Sequence, residues 1–321
     1  MYIGNIKLEN QVIAAPLAGI TDKAFREICK QMGAGLVFTE MVSDKSLVYK
    51  NQRAYEILDT TGEKKPTAVQ IFGSEVEFMT QAAVIVEEHG ADIIDINMGC
   101  PTPKIVRNGE GAAMMLNLEN ARRVMRAVIN AVKVPVTIKT RKGWDEKSEP
   151  TAVRLAQIAQ EEGASAITVH GRTRSQFYMG QADWNIIREV KQAVKIPVIG
   201  NGDIFSPQDA KTMLDVTGCD AVMIARGMLG NPWLLKKITS YLQNGVDIAD
   251  PSLEERIRMA VDHLNRVCIL KGVTIGVKEM RKHIAWYLKG VRGAAKLRDE
   301  INKKSEKEEV EKLLWGILSD S

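Results

Sequence analysis

At 321 residues, 45% of them hydrophobic, the chain can bury a large core and form one α/β barrel with a smaller appendage. No apolar run approaches the roughly 18 residues of a membrane span, and the opening Met-Tyr-Ile-Gly-Asn-Ile-Lys lacks the charged-then-apolar layout of a secretory signal. Cys29, Cys100, Cys219 and Cys268 lie too far apart to suggest a zinc site or a disulfide framework. The expectation is a cytoplasmic monomer with no metal and no membrane contact. The net charge of +4 is unevenly placed: from Pro251 onward 15 Lys/Arg meet 11 Asp/Glu, whereas the first 250 residues carry 29 of each. On charge alone, a polyanion-facing surface and an ordinary lysine-rich helical segment explain that excess equally well.

Eight short, continuously apolar runs recur along the chain, at Val12–Pro16, Leu36–Glu40, Thr67–Ile71, Ile93–Asn97, Pro135–Lys139, Ala166–His170, Pro197–Asn201 and Ala221–Ala225. Strands covered on both faces have this character. The even-numbered runs share an entry (Gly33-Ala-Gly-Leu, Gly90-Ala-Asp-Ile, Gly163-Ala-Ser-Ala, Gly218-Cys-Asp-Ala) in which a glycine closes a helix and the strand starts at once. Pro66, Pro135 and Pro197 precede or open odd-numbered runs, and Ala131-Val-Lys-Val-Pro-Val is nearly repeated as Ala193-Val-Lys-Ile-Pro-Val. Between the runs lie amphipathic stretches such as Thr151–Glu162, and a helix start at Ser206-Pro-Gln-Asp209 with Ser as N-cap and Pro at the first helical position. Strands alternating with helices in this way predict a (β/α)₈ TIM barrel over residues 1–242. An open doubly wound sheet is the rival, but its usual early GxGxxG is missing. A turn-rich linker follows at 243–250, and then a small all-helical C-terminal domain over 251–321. There Lys278, Arg281, Lys282 and Lys289 fall on one helical face opposite Ile284, Tyr287 and Leu288, and Gly290 and Gly293 end the helix. The run Lys303–Lys312 mixes both signs and reads as a solvated face.

Barrel active sites lie at the carboxyl ends of the strands. Those ends deliver Pro16-Leu-Ala-Gly, Glu40, Gln70-Ile-Phe-Gly, Asn97-Met-Gly-Cys100, Lys139-Thr-Arg141, His170-Gly-Arg172, Asn201-Gly-Asp203 and Ala225-Arg-Gly227 to one rim. Cys100 sits in a bend fixed by Gly99 and Pro101. A thiol of ordinary pKa, roughly 8.5, holds its proton near neutral pH and can serve as a general acid. A small buried hydrophobe is the commoner fate of a free cysteine. The ends of the seventh and eighth strands fall where barrels hold phosphate, and Arg226 offers a bidentate fork there. With Gln70 and Lys139 available for a polar ring system, a phosphorylated flavin fits; on these residues alone a sugar-phosphate aldolase or synthase ranks equally.

Taken together, Ala15-Pro-Leu-Ala-Gly-Ile-Thr-Asp22, Gln70-Ile-Phe-Gly73, Asp95-Ile-Asn-Met-Gly-Cys-Pro101, Lys139-Thr-Arg141 with Gly143-Trp144, His170-Gly-Arg-Thr-Arg174, Gly200-Asn-Gly-Asp203, Ala225-Arg-Gly227 and, in the tail, Arg281-Lys-His-Ile-Ala-Trp-Tyr287 resemble the tRNA-dihydrouridine synthases, and among them the bacterial B type. Ala225 departs from the glycine that many relatives have before the arginine. The resemblance implies FMN held by Pro16, Leu17, Ala18, Gln70, Lys139, His170, Asn201, Gly202, Asp203, Ala225 and Arg226. It implies NADPH as electron donor and a tRNA uridine as acceptor, with hydride passing from flavin N5 to uracil C6 and Cys100 protonating C5. Asn97 and Arg141 would hold the uracil edge or its phosphate, and Arg174 the neighbouring backbone. Lys278, Arg281 and Lys282 would meet RNA phosphates.

Two other classes stay in view: an FMN-dependent dehydrogenase of a free pyrimidine, similar to dihydroorotate dehydrogenase, and an RNA-binding protein whose barrel has lost its chemistry. The basic tail argues against the first and the intact rim against the second.

Overall fold

The computed structural model describes residues 1–148 and 151–318. The barrel strands are β1 (Val12–Ala14), β2 (Val37–Phe38), β3 (Thr67–Phe72), β4 (Ile93–Met98), β5 (Val136–Arg141), β6 (Ala166–His170), β7 (Val198–Asn201) and β8 (Ala221–Ile224). Each lies within two residues of the position the sequence predicts. All pair in parallel, in the order β1-β8-β7-β6-β5-β4-β3-β2. A parallel bridge from Ile13 to Leu36 closes the ring, with Ala14 N–H donating to the Leu36 carbonyl at 2.9 Å and Gly35 N–H to that of Val12 at 2.8 Å. Closure rules out the open sheet. A further short strand, Val42–Ser43, continues alongside β3 beyond β2.

Local chemistry sets this alternation. Gly33, Gly90, Gly163 and Gly218 all stand at φ between +69° and +95°, the left-handed region in which glycine closes a helix without a Cβ penalty. The Ser206 hydroxyl accepts from Asp209 N–H with Pro207 in the first turn, as the sequence predicts. Strand side chains alternate between the helix layer and the barrel interior. Outward residues such as Ile94, Ile96, Ile138, Ile167 and Val169 bury against the helices. Inward residues are graded along the barrel axis. At the amino end Ile13, Leu36, Phe38, Ala68, Ile93, Ala166, Ile199 and Ala221 pack over a floor made by Ile3 and Leu8. That floor belongs to a hairpin, Tyr2–Ile3 with Ile6–Lys7, that the sequence reading missed. Further along β3 to β7 the interior turns polar, with Gln70, Asp95, Thr137 and Thr168, then Asn97, Lys139, His170 and Asn201. The apolar floor fixes the barrel and the polar ceiling makes the site.

After Gly245, a left-handed C-cap, the chain crosses to four helices: Leu253–Lys271, Val273–Tyr287, Ala294–Ile301 and Lys307–Gly316. Ser252 and Glu255 form a full capping box at the first. Ile257, Leu264, Val277, Met280, Ile284, Leu288, Val310 and Leu314 form an apolar cluster of their own, joined by Ala24 from the barrel helix Lys23–Gln31. Phe25 on that helix stacks against His263, ring centroids 5.4 Å apart, and lies 5.7 Å from His283. Ion pairs Lys271–Asp22 (2.6 Å) and Arg266–Glu27 (3.3 Å) flank the contact. At Gly230, which follows β8 at φ +66°, a Cβ would come 2.3 Å from the Trp286 carbonyl carbon, so this glycine is required by the close approach of the tail. Among the described residues no helix is long and apolar enough to cross a membrane.

Candidate active site

A cleft at the carboxyl ends of the strands is lined by Pro16, Leu17, Ala18, Gln70, Asn97, Cys100, Lys139, Arg141, His170, Asn201, Gly202, Asp203, Ala225 and Arg226. Every barrel residue predicted for cofactor, acid or uracil edge is therefore gathered at one mouth. Arg174 is the exception. It stands outside the lining, its guanidinium stacked 4.7 Å from the Trp144 ring centroid and 5.9 Å from that of Phe177.

The wall from β3 to β5 is a chain of side-chain amides. Gln70 and Asn97 are buried, and Gln70 Oε1 accepts from Asn97 Nδ2 at 2.8 Å. Gln70 Nε2 donates at 2.7 Å to Asp95, which lies wholly inside the barrel. Asn97 Oδ1 in turn accepts from the Gly99 and Cys100 N–H groups at 3.1 and 2.9 Å. Cys100 is half-buried and its thiol donates to the Thr102 hydroxyl at 3.2 Å. The Cys100 carbonyl accepts from Ala112 N–H at 3.0 Å, and a Cβ at Gly111 (φ +57°) would press within 2.9 Å of that same oxygen. The thiol is thus held from both sides of its loop.

The opposite wall is cationic. Burial, reinforced by the nearby Arg141, lowers the Lys139 pKa to about 8, and its ammonium donates to Asn201 Oδ1 at 3.2 Å. Asn201 Nδ2 donates to the Met223 carbonyl, which fixes the amide's orientation. His170 Nδ1 accepts from Arg172 N–H at 3.1 Å, so in the neutral ring Nε2 carries the hydrogen. Burial, and then the charges of Lys139, Arg141, Arg172 and Arg226, hold the imidazole pKa well below its ordinary value and keep the ring neutral. Arg141 points three of its donors at backbone: Nε to Gly99 O (2.9 Å) and Nη1 to Thr173 O and Phe177 O (2.8 and 2.9 Å). It clamps the Cys100 loop to the loop after β6, while Nη2 of this cleft-lining residue has no acceptor among the described residues. Burial lowers its pKa to about 10, which still leaves it charged.

At the far end the Asp203 carboxylate accepts from Arg172 Nη1 and Nη2 (2.8 and 2.7 Å), from Arg226 Nη2 (2.8 Å) and from Ala182 N–H (2.7 Å). Burial opposes its ionisation, but the hydrogen bonds from Arg172 and Ala182 and the two guanidinium charges prevail, and its pKa lies below the ordinary value. Both oxygens of the Asp203 carboxylate are thus taken up by Arg172, Arg226 and Ala182. The N–H groups of Ala18, Asp203, Ile204 and Gly227 find no acceptor among the described residues. Gly202 (φ +126°) admits no side chain, since a Cβ would sit 2.7 Å from that of Ala182; a Cβ on Gly227 would sit 2.4 Å from the Ile204 carbonyl oxygen. These glycines keep a cradle of backbone donors open, the arrangement that receives phosphate oxygens. Ala225 has φ −117°, outside the left-handed region that favours glycine, so its methyl is tolerated.

Residues 12–319 match the family model described as Dihydrouridine synthase (Dus). The chain belongs to the dihydrouridine synthase family. A probable tRNA-dihydrouridine synthase of Rickettsia conorii is 42% identical over 301 residues, covering 94% of this chain and 91% of that protein. The tRNA-dihydrouridine synthase B of Vibrio vulnificus is 41% identical over 302 residues, 94% of each chain. That of Shewanella oneidensis is 43% identical over 288 residues, covering 90% and 89%.

Within this dihydrouridine synthase fold, the strand ends place Arg172 on the rim but do not reveal its partner, and they leave Asp95 without a part. Arg172, 2% exposed, uses Nε and both terminal nitrogens to tie Asp203 to the Met179 and Gly180 carbonyls. Asp95 stands behind Gln70. The period-2 step from Ile93 through Asp95 to Asn97 is the signal that puts Asp95 on the inner face. The tail cations are divided in role. Arg281 Nη2 donates to the Lys304 carbonyl at 3.0 Å and Lys282 Nζ to that of Gly19, so both hold the protein to itself. Lys278 and Lys289 are exposed, while Ile284, Tyr287 and Leu288 are buried as the wheel predicts.

Proposed function

We propose that the protein reduces uridines of tRNA to 5,6-dihydrouridine, with FMN bound in the barrel cleft and NADPH as the electron donor. The observation that carries the reading is the donor-rich character of the cleft, whose side-chain acceptors Asp203, Asn97 and Asn201 are already taken up by the protein. Open backbone N–H groups at Asp203, Ile204 and Gly227 lie beside Arg226, and Lys139, His170 Nε2–H and the Gln70 amide stand further in. That set suits a ligand with a phosphate at one end and a ring rich in carbonyl and imino acceptors at the other.

The Gly202–Asp203 and Ala225–Gly227 segments would hold the phosphate, with Arg226 kept in place by Asp203. Gln70, Lys139 and His170 would hold the ring system, with Lys139 as the cation near it. When bound, the flavin supplies the hydride for uracil C6. Cys100 keeps a proton at Sγ, steered by Thr102, and delivers it to C5. Asn97 has its oxygen committed to the Cys100 loop and its amide to Gln70, so its main work is to shape the acid loop. Arg141, through Nη2, remains the residue for the uracil or its phosphate. A uridine in folded RNA must be unstacked to reach this depth, at a cost of a few kcal/mol. Contacts by Arg174 at the rim and Lys278 and Lys289 on the tail would offset it, with NADPH taking its turn at the same mouth.

The test is chemical. The purified full chain should release FMN, not FAD, on denaturation, and should form dihydrouridine in tRNA from a strain lacking the modification, while neither reducing free uridine nor oxidising dihydroorotate. Tight FAD, or activity on the free pyrimidine alone, would overturn the assignment.

A further inference from the structure

Register pairs Gln70 with Asp95 and Asp95 with Thr137, so the three side chains sit abreast on β3, β4 and β5 inside the barrel. The Asp95 carboxyl is 0% exposed and is used by nothing described above except as a partner of Gln70. Oδ1 accepts from Thr137 Oγ1 at 2.6 Å and Oδ2 from Gln70 Nε2 at 2.7 Å. From there the bonds run one way: Gln70 Oε1 accepts from Asn97 Nδ2, and Asn97 Oδ1 accepts from the Cys100 N–H.

A primary amide can be turned over with little change of shape, which exchanges donor for acceptor. Two amides in series can run in either direction, and the groups at the two ends decide: the Gly99 and Cys100 N–H groups favour the Asn97 oxygen at one end, and the charge state of Asp95 acts at the other. We propose that the Asp95 carboxylate is a positioning residue that sets this polarity, holding a Gln70 N–H toward the cleft and the Asn97 oxygen under the Cys100 loop. An ionised carboxylate only accepts, so it demands the Gln70 NH₂. Gln70 must then offer its oxygen to Asn97, and Asn97 its own oxygen to the backbone of the acid loop. A protonated Asp95 can donate instead. The reversed chain then presents the Gln70 oxygen to it and draws the Asn97 acceptor away from Cys100.

Burial raises the Asp95 pKa to about 6, moderated by hydrogen bonds from Gln70 and Thr137 and by the charge of Lys139. Among the neighbours on β3 and β5, Gln70 and Thr137 are neutral and Lys139 is the charged one, with Arg141 and His170 at the carboxyl ends of β5 and β6. Reversal of the chain is therefore expected near pH 6. The device deepens the FMN reading, because it fixes which atom of Gln70 meets the ring, yet it exists in the protein without a ligand.

The experiment follows the side-chain amide NMR signals of Gln70 and Asn97 in the ligand-free full chain from pH 5 to 7.5. Both should move together with one midpoint near 6 in the wild type and stay still in Asp95→Asn. Thr137→Val, which removes one stabilising bond, should raise the midpoint and covers the case in which Asp95→Asn does not fold. In parallel, FMN affinity should be about fivefold weaker in Asp95→Asn at pH 7.5, the value of one misdirected hydrogen bond. It should also lose the wild type's pH dependence around 6. Amide signals that do not titrate in the wild type, or titrate alike in Asp95→Asn, would overturn the proposal. Failure of the wild type to bind FMN overturns the cofactor reading, while the amide titration still decides the role of Asp95.

Discussion

Replacing Asp203 by Asn isolates the charge at the phosphate end of the cleft without changing its shape. Arg172 is 2% exposed and has two of its hydrogen bonds on this carboxylate, so the variant leaves a buried guanidinium facing a neutral amide beside a second arginine. Removing one partner of a buried pair costs about 3 to 5 kcal/mol. The Asp203 side chain is 22% exposed and that of Arg226 34%, which puts the expected loss near the lower figure, with the Arg226 half adding little. A chain of 321 residues unfolds with an entropy of about 0.7 kcal/mol/K, so a loss of about 3 kcal/mol lowers Tm by about 4 °C. Differential scanning calorimetry of the full chain measures it, and an FMN titration should show weakened binding as Arg226 loses its anchor. Arg172→Met with Asp203→Asn should cost less than the sum of the two single changes, because no buried charge is left alone. An unchanged Tm, or strict additivity, would show that the pair carries no net energy and that Asp203 meets a ligand directly.

Cys100→Ala should keep FMN and its reduction by NADPH while tRNA turnover falls by about 10² to 10⁴, the range for a lost general acid; near-normal turnover would make Cys100 a packing residue. Lys278→Glu with Lys289→Glu should leave Tm unchanged and weaken tRNA binding, each lost phosphate contact removing about 0.7 to 0.9 from the slope of log affinity on log salt. Equal slopes would clear that face of any RNA contact. Changing Arg281 or Lys282 instead should lower Tm, since both bond to carbonyls of the protein itself. At the contact between barrel and tail, burial holds His263 down at about pKa 4, against the attraction of Asp22 and with Arg266, Lys271 and Lys282 adding to the depression; buried His283 is shifted the same way. An unfolded histidine titrates near 6.5, so stability is complete above that pH and falls between 6.5 and 4, where only the unfolded chain takes the proton, by about 3 kcal/mol for His263. Urea midpoints at pH 7.5 and 4.5 for wild type and His263→Gln check this, and an equal fall in both proteins would remove His263 as the cause.

The sequence by itself determined the barrel and the membership of its rim. Apolar runs of strand length alternate with capped helices, and glycines at helix ends force the chain directly into β4, β6 and β8. Given a parallel barrel, strand direction alone carries Gln70, Asn97, Lys139, His170 and Asn201 to one end, because every parallel strand ends on the same face. Placement on the rim was legible from the strand ends, but the partner of each rim side chain was not. What the tertiary structure decided is how charges are shared. Asp203 and Arg226 read as two phosphate ligands in sequence, but the fold inserts Arg172 and converts Asp203 into the anion that holds both guanidinium groups. Lys282 and Lys278 are alike on a helical wheel; the packing of helix Val273–Tyr287 against the barrel brings one to the Gly19 carbonyl and leaves the other in water. Local pattern encodes which face a residue is on, since periodicity is a property of one strand or helix. Partnership depends on residues 23 to 263 positions apart meeting at hydrogen-bond distance, and that distance is set only when the ring closes and the tail docks.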